Sequence, residues 1–597
     1  MNLLLPVVLL WPLLVMLYGG LRLALVKQEG RNSRSRLELL GVGWWSAPLP
    51  ALLLALWPGE LSVSMPGWML GGLWQLDEAR RPWLLFGALL WLLAGWYARG
   101  YLADERRQAG EGDANALGRL MGFTLLWPLT LAGNLLLILA EDIPSFYLGF
   151  VTMTLAAYGL VIHRRDREAK LGGLAYIVLA LIGEGMILAG LLWSAGSAEA
   201  LTLTELRVAI GDAERGVWMA TLLWLGFGVK AGVIGLHVWL PLAHPVAPTP
   251  ASAVLSGVMV KGGVLGWLST LPLGSGEAGL ARLGEVIIVA GLVGAFGAAL
   301  LGVIQRHPKA VLAYSSVSQL GMLASLVGVG LAAPDAWPAL LAPVTLFAGH
   351  HGMTKGALFF GVGISEHPPR LPAWLIVTLL ALPALSLGGA LTSGLIAKGF
   401  IKEALKESEY SSLVSWLSVA AVGSTLLVAR ALWRQWRRRG EPGTPLRSPM
   451  CLAWLFAVLA AAAVPLWLPL GESVHWPTLS DLPGLLWPAA LGLGLSGLAL
   501  LAAKLGEGEW KLSSHLPPGD LWWGYAALAR RMRSGLVTAG GMLESRGLQL
   551  RARLVAREHR AIARLDGLAR YERRFSRLAV PLMIGLALLL LLGFWLG

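Results

Sequence analysis

Uninterrupted apolar stretches of about 20 residues recur from one end of this chain to the other. Each is long enough to cross a bilayer as an α-helix, because the hydrocarbon core is about 30 Å thick and a helix rises about 1.5 Å per residue. Only 14% of the 597 residues are charged, whereas soluble proteins carry about 25%. The pattern predicts an all-α polytopic membrane protein and excludes a soluble globular fold.

Sixteen of these stretches are predicted to be membrane spans. They cover residues 3–26, 39–57, 82–102, 117–139, 144–163, 171–194, 216–240, 249–272, 279–304, 310–332, 336–364, 373–402, 411–433, 450–470, 483–504 and 577–596. The first has no basic residue before its apolar core and no small-residue cleavage site, so we expect a retained helix rather than a signal peptide.

The charges of the connecting loops give an independent prediction of orientation. Basic residues cluster in the first, fifth, ninth and thirteenth loops, at 27–36, 163–170, 305–310 and 430–447, whereas even-numbered loops such as 140–144 have few. Because Lys and Arg accumulate in cytoplasmic loops, both termini are predicted to face away from the cytoplasm. We expect a multi-pass protein of a bacterial inner (plasma) membrane.

The fifteenth loop is strongly basic. Residues 521–577 contain thirteen arginines and four acidic residues. Leu548, Val555 and Ile562 recur every seven residues, which predicts a long basic amphipathic helix over 519–576. Such a helix could lie on anionic lipid at the cytoplasmic surface. Alternatively, it could run along a larger complex or dock a neighbouring subunit. We expect no nucleic-acid partner, because membrane spans tether the segment at both ends.

Cofactor chemistry has little support in the sequence. A single cysteine, Cys451, excludes intrachain disulfides and argues against an iron–sulfur cluster held by this chain. The sequence shows no nucleotide-binding loop and no metal-ligand cluster. We therefore expect no cofactor and no metal, and an enzyme that acts alone is the least favoured reading.

Ionisable residues lie inside the predicted spans six to twelve. They are Glu184, Lys230, His237, Lys261, His350, His351, Lys355, Lys398 and Lys402. Charges at this depth are expensive and usually mark proton or ion pathways, although a side chain near a helix end can reach the interface. His237, His350 and Lys402 are secondary candidates. Burial disfavours an ammonium group and a nearby carboxylate favours it, so linked sites of this kind can pass protons.

Helix-breaking residues accompany two of these charges. WLPLAHPVAPTPAS at 239–252 places four prolines after Lys230, and LPALSLGGALTSG at 382–394 places one proline and three glycines before Lys398. Broken helices in corresponding places of two halves are typical of inverted-repeat transporters, whose ion sites lie beside the breaks. Lys230 and Lys398 are therefore candidate equivalents.

Three motifs carry a family resemblance. GLHVWLPLAHPVAPTPASAVLSGVMVKGG at 235–263 resembles the signature of the antiporter-like proton-translocating subunits, and HPKAVLAYSSVSQLGML at 307–323 and HGMTKGALFFGVG at 351–363 are similar to other parts of that family. These subunits occur in respiratory complex I, in membrane-bound hydrogenases such as formate hydrogenlyase, and in Mrp-type sodium/proton antiporters. The resemblance covers about residues 75–405. Sixteen spans with a long helix before the last resemble the distal complex I subunit with a lateral helix, or the related hydrogenase subunit.

The resemblance implies roles for individual residues. Lys230 matches the lysine of the seventh helix and Lys261 the bridging lysine of the eighth. His351 and Lys355 match the motif of the eleventh helix, and Lys398 matches the ionisable residue of the broken twelfth. Together these positions would form two half-channels joined by a polar axis along the membrane midplane.

One position departs from the family. The fifth helix usually supplies a glutamate in a stretch like YLGFE, but this chain reads FYLGFVTM at 146–153, with Val151 in that place. Glu184, on the next span, lies at comparable depth. We expect Glu184 to be the partner of Lys230; the alternative is a first half-channel that has lost its switch.

The predicted organisation follows from these assignments. Spans 1–3 occupy 1–116, a first antiporter-like repeat (spans 4–8) 117–272, and a second, inverted repeat (spans 9–13) 279–433. Spans 14 and 15 occupy 450–504, and the basic helix at 519–576 precedes the last span at 577–597.

The favoured function is a proton-translocating subunit of a multisubunit energy-converting complex. Its expected partners are other membrane subunits and a peripheral cytoplasmic module, with H⁺, or alternatively Na⁺, as the transported ion. It could thus be a translocase subunit of a quinone- or hydrogenase-linked oxidoreductase. Two alternatives remain: a membrane subunit of a bicarbonate or CO₂ uptake system, and a structural anchor that does not conduct.

Overall fold

The computed structural model describes residues 4–29, 34–471 and 474–505, with a few isolated positions from 519 to 531. Chain contacts separate a unit at 1–519 from one at 520–597, and every element below belongs to the first. The elements up to the end of the ninth helix are α1 (Leu4–Glu29), α2 (Arg34–Ser46), α3 (Leu49–Ala55), β1 (Leu61–Met65), β2 (Gly72–Leu76), α4 (Arg81–Tyr101), α5 (Ala103–Gly110), α6 (Ala114–Leu139), α7 (Ile143–Val161), α8 (Arg167–Ala198) and α9 (Leu203–Asp212).

The remaining described elements carry most of the ionisable residues. They are α10 (Gly216–Ala231), α11 (Trp239–Val246), α12 (Thr249–Val254), a π-helical turn (Leu255–Met259), α13 (Lys261–Thr270), α14 (Ala278–Val303), α15 (Pro308–Ala332), a 3₁₀ turn (Pro334–Ala336), α16 (Trp337–Glu366), α17 (Ala373–Gly388), α18 (Thr392–Leu405), α19 (Leu413–Arg437), α20 (Pro449–Ala462), α21 (Val464–Trp467) and α22 (Leu482–Leu505).

The predicted helical membrane fold is confirmed. Within the described residues, eleven helices are long and apolar enough to cross a membrane, and each of the first fifteen predicted spans overlaps one helix or a pair of consecutive helices. The predicted last span at 577–596 lies outside the described residues, as does the basic helix at 519–576 apart from isolated positions.

A β-hairpin between α3 and α4 was not predicted. Its strands pair antiparallel, with Leu61 opposite Leu76 and Met65 opposite Gly72. The hairpin is held against the α6–α7 junction, where the backbone N–H of Leu73 donates to the Asp142 carboxylate at 2.9 Å and the N–H of Glu141 donates to the Leu73 carbonyl at 2.8 Å. The hairpin at 61–76, between the second and third predicted spans, is therefore held in place by the junction of α6 and α7.

The predicted helix breaks exist, and both glycine and proline stand at them: Pro248 is extended between α11 and α12, and glycines stand at two further breaks. The seventh predicted span ends as a helix at Ala231 and resumes at Trp239, and Gly232 has φ +79°. The twelfth breaks at Gly389, with φ +82°. This left-handed conformation suits glycine because it has no Cβ. Pro245 and Pro383, expected to interrupt these spans, lie inside α11 and α17.

The deepest part of the molecule is built from α15 and α16. Nearly every residue of α15 is buried, and so is most of α16. Both nevertheless carry polar side chains, including Ser315, Ser316 and Gln319 on α15 and His351 and Lys355 on α16. Because buried polar groups need partners, these two helices are where a polar path through the apolar interior can form.

Candidate proton pathway

Lys230 lies in the last turn of α10 and lines a small pocket between α7, α8 and α10. Its ammonium donates to Thr154 Oγ1 at 3.1 Å and to Tyr176 Oη at 2.9 Å, and the side chain is only 4% exposed. The rings of Tyr176 and Trp239 lie 5.1 and 5.9 Å from Nζ. Hydroxyl oxygens and aromatic faces thus surround the charge and replace part of its lost hydration.

Glu184 lies in the same pocket as Lys230. Both line a small cavity of about 10 Å³ together with Thr154 and Tyr176, and the two charges interact electrostatically. Glu184 is 5% exposed, and among the described residues its Oε1 accepts no hydrogen bond. The carboxylate is therefore next to the lysine without being fixed to it by a direct ion pair.

The fifth predicted span supplies hydroxyl and aromatic groups to this pocket instead of an acid. Phe150 and Thr154 of α7 line the cavity on either side of Val151 in the sequence. Thr154, three residues after Val151, makes the direct contact with Lys230. Lys230 is therefore surrounded by the neutral Thr154 hydroxyl from α7 and the Glu184 carboxylate from α8.

Lys261 begins α13, and one residue separates it from the π-helical turn. Its ammonium folds back and donates to the backbone carbonyl of Ser256 at 2.6 Å. A π-helical turn shifts the backbone hydrogen bonds by one residue; here the N–H of Val260 donates to the Leu255 carbonyl. The irregular turn thereby offers the Ser256 carbonyl to a lysine that is fully buried.

Hydrogen bonds through the backbone carbonyl and the hydroxyl of Ser256 place Lys261 and Lys355 in one polar network. The Ser256 and Ser316 hydroxyls lie 2.7 Å apart, and the Ser316 hydroxyl donates to the Leu312 carbonyl at 3.2 Å. Lys355 Nζ donates to that same carbonyl and, at 2.5 Å, to Ser315 Oγ. Two buried lysines on different helices thus share one hydrogen-bonded network, which we call the serine bridge (Ser256, Ser316 and the Leu312 carbonyl).

His350 of α16 lies near the second helix break, at Gly389. Its Nδ1 is 2.8 Å from Ser393 Oγ, and Ser393 donates to the Ala461 carbonyl at 2.6 Å. Lys398, on α18, reaches back over the break and donates to the Gly388 carbonyl at 2.6 Å. The secondary candidate His350 is thus in direct contact with the broken helix, as Lys398 is.

Lys398 and Lys402 line a cavity near the second helix break. Together with Ser418 and apolar residues that include Leu326, Phe347 and Leu417, they border a volume of about 40 Å³. Both lysines are half-buried. This cavity is the structural candidate for an access route to the second half of the pathway.

His351 and His244 have a different environment. Both are fully buried, and among the described residues neither ring nitrogen of either residue has a hydrogen-bond partner. His244 stacks on Phe359 with ring centroids 4.6 Å apart. His351 lies beside Lys261 and Lys355 and interacts electrostatically with both. His237 lies in the break after α10, with its ring 6.0 Å from that of Tyr314.

Sequence reasoning missed several members of this arrangement. They are Thr154, Tyr176, Ser256, Ser316, His244 and Lys309. His244 and Lys309 carried a usable signal, because each is ionisable and stands in a quoted motif. Lys309 is buried and donates to the Ala247 carbonyl at 2.8 Å. The hydroxyl groups carried no such signal, since their roles depend on contacts between helices distant in sequence.

The part of the chain that holds most of these buried ionisable residues matches a known protein family. Residues 140–373 match the family described as "NADH:quinone oxidoreductase/Mrp antiporter, TM". The predicted family resemblance is confirmed. The matched range contains Glu184, Lys230, Lys261 and Lys355 of this antiporter-like chain, whereas Lys398 lies beyond it.

Curated proteins and solved structures similar to this chain point to the same family. Hydrogenase-4 component B of Escherichia coli (strain K12) is 31% identical over 301 residues, which are 48% of this chain and 42% of that protein. NADH-quinone oxidoreductase subunit N 1 of Sorangium cellulosum (strain So ce56) is 29% identical over 454 residues, 70% of this chain and 81% of that protein. The match therefore spans less than half of the hydrogenase relative.

The fold has a close counterpart in a solved membrane complex. The structure of the Mrp complex from Dietzia sp. DQ12-45-1b superposes with a TM-score of 0.69 at 19% identity, over 95% of this chain and 63% of that one. At this identity the likeness concerns the fold alone, which in both cases is a multi-pass helical membrane fold.

Proposed function

We propose that this antiporter-like chain is a proton-translocating membrane subunit of a multisubunit energy-converting complex. Its proton path runs through Glu184, Lys230, Lys261, His351, Lys355 and Lys398. The observation that carries the proposal is the shared pocket of Glu184 and Lys230, two buried ionisable groups of opposite charge with hydroxyl groups between the helices. Intramembrane pairs of this kind are expensive for stability and typical of ion pathways.

The pocket can hold a proton in two places. With Glu184 ionised, the Lys230 ammonium is stabilised by a negative charge in its own cavity; with Glu184 protonated, that stabilisation disappears. Lys230 already donates to Thr154 and Tyr176, whose hydroxyls can both donate and accept. A proton arriving at Glu184 therefore weakens the hold of Lys230 on its own proton.

The serine bridge connects the next two lysines. Its ends are the backbone carbonyls of Ser256 and Leu312, which accept from Lys261 and Lys355 but carry no proton of their own, so the bridge orients the two ammonium groups within one polar network. The Lys230 and Lys261 helices pack closely: a Cβ added at Gly263 would lie 2.6 Å from the Phe227 carbonyl oxygen. In a low-dielectric interior, charges on neighbouring helices interact strongly, so the charge state of Lys230 influences Lys261.

Replacement of Glu184 tests the proposal. The assembled complex is reconstituted in proteoliposomes, and proton uptake is followed with an internal pH-sensitive dye. We expect Glu184→Gln to lower the rate by at least about tenfold, because a proton-binding group is removed. Glu168→Gln, on the same helix but exposed, serves as the matched control and should retain the full rate.

A second variant distinguishes a relocated carboxylate from a lost one. Val151→Glu restores an acid at the position where the family usually has it. In the Glu184→Gln background it should recover part of the proton uptake, because Val151 lies on the helix that contacts Lys230. Unchanged proton uptake in Glu184→Gln would overturn the role of Glu184. Absence of proton uptake in the wild-type complex would instead favour a structural membrane anchor that does not conduct.

The membrane, the orientation and the partner subunits of the chain are also proposed. We place it in a bacterial inner membrane with both termini outside the cytoplasm, beside other membrane subunits and a peripheral cytoplasmic module. Support comes from the basic odd-numbered loops and from relatives named as components of a hydrogenase and a quinone oxidoreductase. Proton uptake measured with and without Na⁺ identifies the transported ion.

A further inference from the structure

A large cavity lies away from the proposed proton path, at the end of α19. It has a volume of about 270 Å³ and is bordered by α17, α19 and the segments that follow α16 and α19. Its walls are mainly apolar and include Leu371, Ile376, Leu380, Leu432 and Trp433. Cavities of this size and character accommodate small amphiphilic molecules.

A buried amide is left unpaired in the wall of this cavity. Gln435 is 2% exposed, and its Oε1 accepts a hydrogen bond from Ser365 at 3.2 Å. Its Nε2 is buried, and among the described residues it has no acceptor. Because buried donors in native proteins are almost always paired, this N–H indicates an acceptor supplied by a ligand.

A guanidinium group stands at the rim. Arg439 stacks on the ring of Trp436 at 3.8 Å and donates to the Trp436 carbonyl at 3.0 Å. In the described part of the chain it has no acidic partner within ion-pair distance. Exposed Arg437 and Arg438 precede it and exposed Glu441 follows it, but of these charged residues only Arg439 lines the cavity.

We propose that this cavity binds the headgroup and the upper acyl chain of an anionic phospholipid. Arg439 contacts the phosphate, Gln435 Nε2 donates to an ester carbonyl, and the apolar walls hold the chain. Gln435 lies in the last turn of α19 and is buried, whereas Arg439 follows the end of that helix and is exposed, so the amide donor lies deeper than the charge. Basic pockets between membrane helices on the cytoplasmic side bind such headgroups, and loop charges predict that this end of α19 is cytoplasmic.

Native mass spectrometry of the full-length chain in neutral detergent tests the site. Phosphatidylglycerol is titrated against wild type, Arg439→Gln and Gln435→Met. Arg438→Gln is the matched control, because it removes a neighbouring exposed arginine that does not line the cavity. We expect Arg439→Gln to bind the tightest phosphatidylglycerol about tenfold more weakly, as for loss of one charge-assisted hydrogen bond. Arg438→Gln should match the wild type.

Competition and cross-linking identify the source of the phosphate group. Phosphatidylcholine and inorganic phosphate should each fail to displace the bound phosphatidylglycerol. A phosphatidylglycerol with a photoreactive acyl chain should label peptides within 371–380 or 429–440. Equal binding by wild type and Arg439→Gln, displacement by phosphate alone, or labelling confined to other segments would each overturn the proposal.

Discussion

At the scale of single residues, the buried lysines share a bonding pattern. Each donates to a neutral oxygen: Lys230 to Thr154 and Tyr176, Lys261 to the Ser256 carbonyl, and Lys398 to the Gly388 carbonyl. A direct contact with a carboxylate would hold the proton firmly. Neutral acceptors satisfy the ammonium while leaving its charge state open to change, which is what a relay requires.

The Thr154 hydroxyl is expected to be essential for the first half of the pathway. Thr154→Val keeps the shape of the side chain but removes the acceptor of the Lys230 hydrogen bond, and we expect about tenfold slower proton uptake. Thr154→Ser should retain most of the rate. Thr221→Val is the matched control, since that hydroxyl bonds only within α10, to the Val217 carbonyl. Equal rates in the two valine variants would contradict the role of Thr154.

At the scale of secondary-structure elements, irregular backbone positions the chemistry. The π-helical turn offers a carbonyl to Lys261, and the breaks at Gly232 and Gly389 lie close to Lys230 and Lys398. The π-helical turn also packs closely on α16: a Cβ added at Gly257 would lie 2.8 Å from the carbonyl oxygen of Gly352. Close approach of this kind between membrane helices depends on residues without side chains.

Gly257→Ala should therefore damage the protein. The added methyl group would push the π-helical turn away from α16 and stretch the serine bridge, so we expect a lower unfolding temperature and slower proton uptake. Gly185→Ala, on α8 next to Glu184, is the control because a Cβ there meets no atom within 4 Å. Alanine also favours helix over glycine by about 1 kcal/mol. Equal unfolding temperatures in the two variants would contradict the close packing.

A pH-dependent contact is expected at α5, outside the membrane spans. The Glu105 carboxylate accepts from Arg119 Nε at 3.1 Å and lies 3.1 Å from His163 Nε2. Burial raises the pKa of Glu105, but the hydrogen bond and charge of His163 and the charge of Arg119 outweigh burial and lower that pKa below its usual value. The contact therefore stabilises the fold above about pH 4.3 and is lost as the pH falls through the lower folded-state pKa.

Hydrogen exchange of the α5 peptide measures this dependence. After correction for intrinsic rates, protection of 103–110 should fall between about pH 5 and pH 3 in the wild type. In Glu105→Gln it should be lower throughout and should not change over that range. Glu111→Gln, an exposed acid just beyond α5, should keep the wild-type profile. A pH-dependent profile in Glu105→Gln would assign the effect to another group.

At the scale of the whole molecule, one buried carboxylate ties the N-terminal region to the antiporter-like segment. Glu141, between α6 and α7, pairs with Arg80 at the start of α4 and accepts from the backbone N–H and hydroxyl of Thr204 on α9. Arg80 also pairs with Asp77, which follows the β-hairpin. Three separate parts of the chain thus meet at one charge.

Removal of Arg80 should be strongly destabilising. Glu141 is 5% exposed, and Arg80→Gln would leave its carboxylate buried without its cation, at a cost on the order of 3 kcal/mol. We expect a clearly lower midpoint in thermal unfolding, partly recovered by adding Glu141→Gln. Arg107→Gln is the control: its pair with Asp104 is 59% and 79% exposed and should contribute little. Equal midpoints for the two arginine variants would show that Glu141 is satisfied without Arg80.

Sequence alone determined the membrane class, the positions of the spans and the ionisable residues, because a bilayer demands long apolar helices and makes every charge within them conspicuous. It also indicated that Val151 leaves Lys230 without the usual acid. Tertiary structure decided what those charges contact. The pocket shared by Glu184 and Lys230, the serine bridge and the β-hairpin each join residues from different helices or strands. Serine and threonine are unremarkable in an apolar helix until packing places them beside a buried charge. Tertiary structure also decided which of the candidate glycines and prolines stand at helix breaks: Gly232 and Gly389 are left-handed and Pro248 is extended, whereas Pro245 and Pro383 lie inside helices.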